Sequence, residues 1–285
     1  MCGRYALARG SSEIQLAFGF TETEALAPEA EAPRAWPPRE ELDPDYNISP
    51  GKYAYAVLGR APGEPDTGQA GPRHLATLRW GLVPSWAKDA AVGYRMINAR
   101  AETIAERPAF RAAFARRRCL LPADAYYEWQ LLHASGEARP GTSPATDPRH
   151  RERKARTRKR PFAVRYADGA PLALAGIFER WRNPELPEED PAAWLWSFAV
   201  VTTQAAPELA HIHERMPVVV GEQDWEVWLD PEAAPDDLFS VLDSTPAADF
   251  TVYEVGPEVN AVRNNGPRLL APAGAESEGG SATLF

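Results

Sequence analysis

Cysteine is scarce in this chain, with two in 285 residues. Two cysteines cannot staple a protein of this length, so a secreted disulfide scaffold is excluded. Long apolar runs are absent as well. A helix needs roughly 20 apolar residues to cross a bilayer, and no such stretch occurs, so neither a helical span nor a membrane partner is expected. The opening Met1-Cys2-Gly3-Arg4-Tyr5 lacks the apolar core of a secretion signal, which leads us to expect a cytoplasmic protein in a reducing compartment. Positive charge is in the minority, 31 Lys and Arg against 40 Asp and Glu, for a net charge of −9. A globally basic nucleic-acid binder is therefore excluded.

What remains is ordinary globular composition, 44% apolar and 25% charged, in a chain long enough to bury a sizeable core. The charge is segregated. Residues 149–160 hold eight Lys or Arg and one Glu, a local +7, whereas residues 21–45 are acidic and proline-rich. Fields follow local arrangement more than total charge, so the average does not exclude a basic groove.

The patterning predicts many short strands and few helices. A short strand precedes a helix around Ser12–Phe18. Strands are expected at Tyr53–Leu58, Leu75–Leu82, Cys119–Leu121, Ala125–Leu132, Phe162–Tyr166, Leu172–Phe178, Trp196–Thr202 and Phe250–Val255. Glu102–Arg117 reads as an amphipathic helix carrying Ile104, Phe110 and Phe114. Trp225 and Trp228, three apart, mark a helical core face, and Cys119 reads as a small core hydrophobe. Two polar insertions, 21–45 and 133–160, and a loose tail from Ala271 interrupt or end the pattern. No repeat and no βαβ alternation are evident. The expectation is one α+β domain around a curved, mostly antiparallel sheet.

Cys2 carries the most chemical information. A small second residue permits removal of Met1, which would leave a free 1,2-aminothiol. An α-amine has a pKa of roughly 7.8 against roughly 10.4 for lysine, so its free-base fraction at neutral pH is greater by a factor on the order of 10². Such an amine condenses with an aldehyde, and the adjacent thiol closes onto the imine carbon as a thiazolidine. One residue holds both groups, so closure gains a large effective concentration. The same three opening letters suit a class II glutamine amidotransferase, whose N-terminal cysteine attacks a carboxamide. They also suit a strand residue with no chemical role.

Further segments separate these readings. They are Tyr46-Asn47-Ile48-Ser49-Pro50, Trp80-Gly81-Leu82-Val83-Pro84-Ser85-Trp86, Asn98-Ala99-Arg100-Ala101-Glu102-Thr103, Pro122-Ala123-Asp124-Ala125-Tyr126-Tyr127-Glu128-Trp129 and His211-Ile212-His213-Glu214-Arg215-Met216-Pro217. With the N-terminal pentapeptide they occur in the order of the SOS response-associated peptidase (SRAP) family, which the sequence resembles from Met1 to about Leu270, closing at Asn264-Asn265-Gly266. The resemblance implies a barrel-like sheet with peripheral helices over residues 1–270. It also implies covalent capture of abasic sites in single-stranded DNA, with no metal or cofactor, by a protein sufficient as a monomer and nucleoid-associated when bound. A cysteine-type peptidase, self-processing at Met1, is the alternative that the family name carries. A non-covalent reader of modified or single-stranded DNA is the other.

Carried over by position, Cys2 is the nucleophile and Asn98 places it or the sugar. Glu128 shuttles protons, and His213 acts as acid or base on the opened sugar. Arg4, Arg100 and Arg215 are expected at the pocket rim, where arginine's planar fork suits phosphate. Trp80, Trp86 and Trp129 are expected to stack bases, at roughly 1–3 kcal/mol each. Asn47 and Pro50 fall in the family's DNA-contacting loop. His211 reads as incidental, since no further ligands stand at zinc spacing. Asn98 also suits the cap of the expected helix. The basic run reads equally well as a phosphate-attracting arm or as a solvated insertion. The acidic insertion is expected to lie away from DNA.

Overall fold

Runs rich in aliphatic and aromatic residues supply most of the strands. The structure is a computed structural model that describes residues 2–20, 37, 39–59, 73–132, 158–244 and 249–274. Its strands are β1 (Tyr5–Leu7), β2 (Asp45–Ile48), β3 (Tyr53–Leu58), β4 (His74–Trp80), β5 (Asn98–Arg100), β6 (Arg118–Ala123), β7 (Ala125–Leu132), β8 (Arg158–Tyr166), β9 (Leu172–Arg182), β10 (Trp194–Gln204), β11 (Arg215–Pro217) and β12 (Phe250–Glu254).

Five strands close a ring: β10 pairs β4, then β3, β6 and β9 follow, and β9 pairs β10 again. Closure leaves these strands without a free edge. The two longest strands, β9 and β10, share seven consecutive register pairs from Arg182–Trp194 to Gly176–Val200. Past Phe198, β10 loses its partner β4 and takes β5 in parallel instead, Asn98 opposite Val200. Its other edge takes β11, with Arg215 opposite Gln204. Both parallel pairings involve β10, and every other pairing of these strands among the described residues is antiparallel. A second sheet runs β12-β8-β7-β1-β2. The expected α+β fold with a curved, barrel-like and mostly antiparallel sheet is what the chain forms.

The two sheets meet where β6 passes into β7 through one residue, Asp124. Its amide donates to Ala6 O at 2.7 Å, and its carboxylate accepts from Ala8 N–H at 2.6 Å and Arg9 Nε at 2.7 Å. This corner fastens β1 between β2 and β7, which sets the position of Cys2. Helices cover the periphery: α1 (Ser11–Ala17), α2 (Arg111–Arg116), α3 (Trp225–Leu229) and α4 (Pro235–Asp243). Arg118 is buried beneath them. Its guanidinium donates to Phe114 O at 2.6 Å, Trp228 O at 2.8 Å and Asp230 O, satisfying carbonyls near the ends of α2 and α3. Burial lowers its pKa to about 10. Trp225, Trp228 and Cys119 are buried as expected.

Several local expectations are corrected. The helix expected over Glu102–Arg117 is split into a 3₁₀ turn at Ala101–Thr103 and α2, because Pro108 lies in its middle and disfavours helical backbone at Arg107. Asn98 lies in β5 and not at a helix cap. The basic insertion ends sooner than expected, since Arg158, Lys159 and Arg160 belong to β8 and pair with Leu132, Leu131 and Gln130. The acidic insertion regains order before Asp45: Glu40 N–H bonds Thr77 Oγ1 and Leu42 N–H bonds the Tyr55 hydroxyl. The start of the tail is also held, by a bridge between Pro272 and Val255 and by Ala273 N–H to Glu254 O at 2.7 Å. The cores of both insertions, 21–36 and 133–157, and the tail from 275 lie outside the described residues.

Gly81 and Gly93 pinch the loop that follows β4. A Cβ on Gly93 would lie 2.5 Å from Gly81 O, and Gly81 itself has φ of 118°. The obstructing atom is backbone and cannot swing aside. Gly93→Ala is therefore expected to destabilise the protein by roughly 1–3 kcal/mol, measured by denaturant unfolding, with Ala91→Gly as an exposed control.

Candidate active site at the second residue

Cys2 precedes β1 and is fully buried. Its carbonyl accepts from Asn98 Nδ2 at 2.8 Å. This bond crosses from the second sheet to the β10 edge of the barrel, so a side chain of one sheet fixes the main chain of the other. Burial first, and the charge of Glu128 second, push the Cys2 thiol up to about 12. At neutral pH the sulfur is therefore a thiol.

Glu128 lies on β7, which pairs directly with β1. Only 5% of it is exposed, and burial raises its carboxyl to about 7. A group poised there holds and releases a proton near neutrality. Two residues further along the same strand face, Gln130 donates to His211 O at 3.0 Å. That bond ties the turn bearing His213 to β7. The backbone N–H of Arg215 donates to His213 Nδ1 at 2.9 Å, which leaves the proton of the neutral ring on Nε2. Burial lowers the His213 pKa, so the ring is neutral at pH 7.

The candidate site thus lies in the seam between barrel and second sheet. Cys2 and Asn98 are in contact, Glu128 acts electrostatically on Cys2, and the His213 turn is fastened beside Glu128. Gln130 is not legible as part of the site in the sequence, because a glutamine alternating along a strand carries no distinguishing signal. Among the described residues, no three His, Cys, Asp or Glu side chains gather as metal ligands would, and no helix is long and apolar enough to cross a membrane.

The other candidates divide. Trp86 is 62% exposed and Arg100 is exposed. Pro50 is half-buried in the turn after β2. Tyr94 and Tyr53 are exposed too. Tyr94 lies under the Arg79 guanidinium at 5.3 Å, and Arg79 pairs with Tyr53 across the β3–β4 ladder. Lone tyrosines give no sequence signal for this patch. Trp80, in contrast, is 1% exposed, lies between Tyr5 and Phe198, and spends its indole N–H on Ile97 O at 2.9 Å. Its burial overturns the expectation that it stacks a base.

Four further expectations of DNA contact meet internal bonds. Arg4 Nη1 donates at 2.7 Å to both Asn47 Oδ1 and Val259 O, while its guanidinium covers Trp129 at 5.4 Å from the ring centroid. Trp129 in turn donates to Asn260 Oδ1 at 2.6 Å. Arg215 forms a bidentate pair with Glu102 at 2.5 and 2.9 Å and also donates to Thr202 O at 2.6 Å. Asn47 is fully buried. Its Nδ2 donates to Ala261 O at 3.1 Å and Asn264 O at 3.0 Å, so it clasps the C-terminal segment. Asn47→Ala orphans these carbonyls and removes one of the two acceptors of Arg4, and is expected to cost roughly 2–4 kcal/mol, read as a lowered unfolding midpoint.

Comparison with known proteins identifies the family. The family model for SOS response associated peptidase (SRAP) matches residues 1–262. The chain belongs to this family. An abasic site processing protein, YoqW, of Bacillus subtilis (strain 168) is 32% identical over 271 residues, covering 95% of this chain and 99% of its own. The abasic site processing protein HMCES of Mus musculus is 30% identical over 257 residues, covering 84% of this SRAP chain and 67% of its own. Among solved structures, a protein from Bacteroides thetaiotaomicron has the same fold, with a TM-score of 0.67 at 19% identity over 95% of this chain and 100% of that one. A phage-related protein from Bordetella bronchiseptica matches with a TM-score of 0.56 at 27% identity, over 93% and 99% of the two chains.

Proposed function

We propose that this SRAP protein senses abasic sites in single-stranded DNA and captures them covalently through Cys2 once Met1 has been removed. One observation carries the reading: Cys2 is held at its carbonyl by Asn98 in a buried seam that also contains a carboxyl poised near neutrality. The names of the relatives support abasic DNA as the target.

The reaction follows from these groups. The Cys2 amine attacks the C1′ aldehyde of the ring-opened deoxyribose. Glu128 passes a proton to the carbinolamine hydroxyl, which leaves as water, and a protonated imine remains beside the Glu128 carboxylate. The Cys2 sulfur then adds to the imine carbon. Its proton returns to the Glu128 carboxylate, the nitrogen keeps its own proton as it becomes an amine, and the five-membered thiazolidine closes. The net change is condensation with loss of one water. A thiol held up to about 12 suits this order of events, since the amine opens the reaction and the sulfur acts last. It suits a pre-ionised thiol peptidase poorly. Neutral His213, carrying its proton on Nε2, serves the opened sugar as a donor. Asn98 Oδ1 is buried without a partner among the described residues and can accept from a sugar hydroxyl. Trp86, Tyr94 and Arg100 offer stacking and phosphate contacts that read no sequence.

The test is an oligonucleotide with one abasic site, incubated with the protein and run on a denaturing gel. A heat-stable shifted band is expected. A shift on native gels alone would replace capture with non-covalent reading, and peptide cleavage without retained DNA would favour the peptidase.

A further inference from the structure

Tyr5 and Tyr126 face one another directly across the β1–β7 ladder. Both rings are buried, at 0% and 1% exposure. Both hydroxyl oxygens are buried without a hydrogen-bond partner among the described residues. Tyrosine normally finds a partner for its hydroxyl when buried, because an orphaned polar group loses its hydration for nothing. Phenylalanine would fill either position without that cost. Glu128 stands two residues beyond Tyr126 and so shares its face of β7. The ionisable groups around the pair are few. Glu128 and Cys2 act on Tyr126, whereas Cys2, Cys119 and Asp45 act on Tyr5. Cys119 is a buried thiol of the barrel, and Asp45 is held by Lys52 at 2.5 Å.

We propose that the Tyr126 and Tyr5 hydroxyls form a buried donor pair that hydrogen-bonds whichever of Glu128 and Cys2 carries negative charge during capture, making Tyr126 a positioning residue for the reaction. The inference rests on the function proposed above. During closure a proton passes between sulfur and carboxylate, so negative charge sits on one or the other within a largely buried seam. An O–H donor to an anion is among the stronger hydrogen bonds. A second hydroxyl opposite the first lets the donor follow the charge from carboxylate to sulfur. With Glu128 protonated and Cys2 a thiol, the site holds no anion, which accounts for hydroxyls that stand orphaned there.

Two measurements on the Met1-processed protein test this. The first is the Glu128 carboxyl titration, followed by carbon NMR in wild type and Tyr126→Phe, with Tyr5→Phe alongside. Loss of the donor is expected to shift the titration upward by about one unit. The second is the pH profile of capture of abasic single-stranded DNA. Its acid limb is expected to move the same way, so that the rate on that limb falls about tenfold. The Tyr126→Phe melting temperature is expected to equal or exceed that of wild type, which separates the role from a structural one. An unchanged Glu128 titration, or a lower melting temperature with an unchanged pH profile, would overturn the proposal. If wild type fails to capture DNA at all, the functional reading falls, while the NMR titration still judges the donor pair by itself.

Discussion

Cys2→Ala is expected to abolish heat-stable capture of abasic single-stranded DNA, a loss limited only by the sensitivity of the gel. The residual chemistry is as informative as the loss. Once Met1 is removed, the variant still presents an α-amine on its second residue, at the position that Asn98 holds through the carbonyl there. It can therefore form the imine but cannot close the ring. An imine exchanges with water, so the adduct should disappear under denaturation and return as a permanent bond when borohydride reduces it. A thiol that attacked the aldehyde directly would leave no such borohydride-dependent band. The substitution removes one sulfur from a buried position and should cost stability by about 1 kcal/mol, so the variant remains folded.

Glu128→Gln is expected to slow capture by roughly 10²–10³, the usual worth of a positioned proton shuttle, and yet to raise stability above neutral pH. The sign follows from burial. The carboxyl is raised from 4.5 to about 7 in the folded protein. Below the unfolded value both states hold the proton, and Glu128 makes no difference. Between the two values the unfolded chain has lost the proton and the folded one retains it, so stability falls as pH rises. Above about 7 the full cost is in place, on the order of 3 kcal/mol. Glutamine has no charge to bury. The difference between wild type and Gln variant in denaturant unfolding should be smallest in acid and grow up to neutrality. Activity lost while stability is gained is the mark of a group kept for chemistry.

Much of this is legible in the chain itself, for identifiable reasons. Strands such as Tyr53–Leu58 and Leu172–Arg182 are buried along nearly their whole length, and near-continuous apolar runs announce that. Cys2, Asn98 and Glu128 stand in motifs whose order carries the family resemblance, and the seam brings them together. Trp80, Asn47 and Arg4 depart from expectation for a common reason. Motif membership says that a residue matters, without saying whether it faces a ligand or holds the frame that does. Trp80 fills the barrel against Phe198, and Asn47 with Arg4 clasps the segment around Val259. The closure of the ring depends on β10 exchanging β4 for β5 midway along its length, a long-range pairing that no local pattern announces. The split of the helix is readable at Pro108, although the spacing of Ile104, Phe110 and Phe114 points the other way.

The most direct test of the central claim is the intact mass of the protein joined to an abasic oligonucleotide, followed by mapping of the linked peptide. The account predicts a protein lacking Met1, an adduct mass equal to the sum of the two partners less one water, and attachment at residue 2 through both nitrogen and sulfur. An adduct on a chain that retains Met1, or one mapped to a lysine, would contradict it.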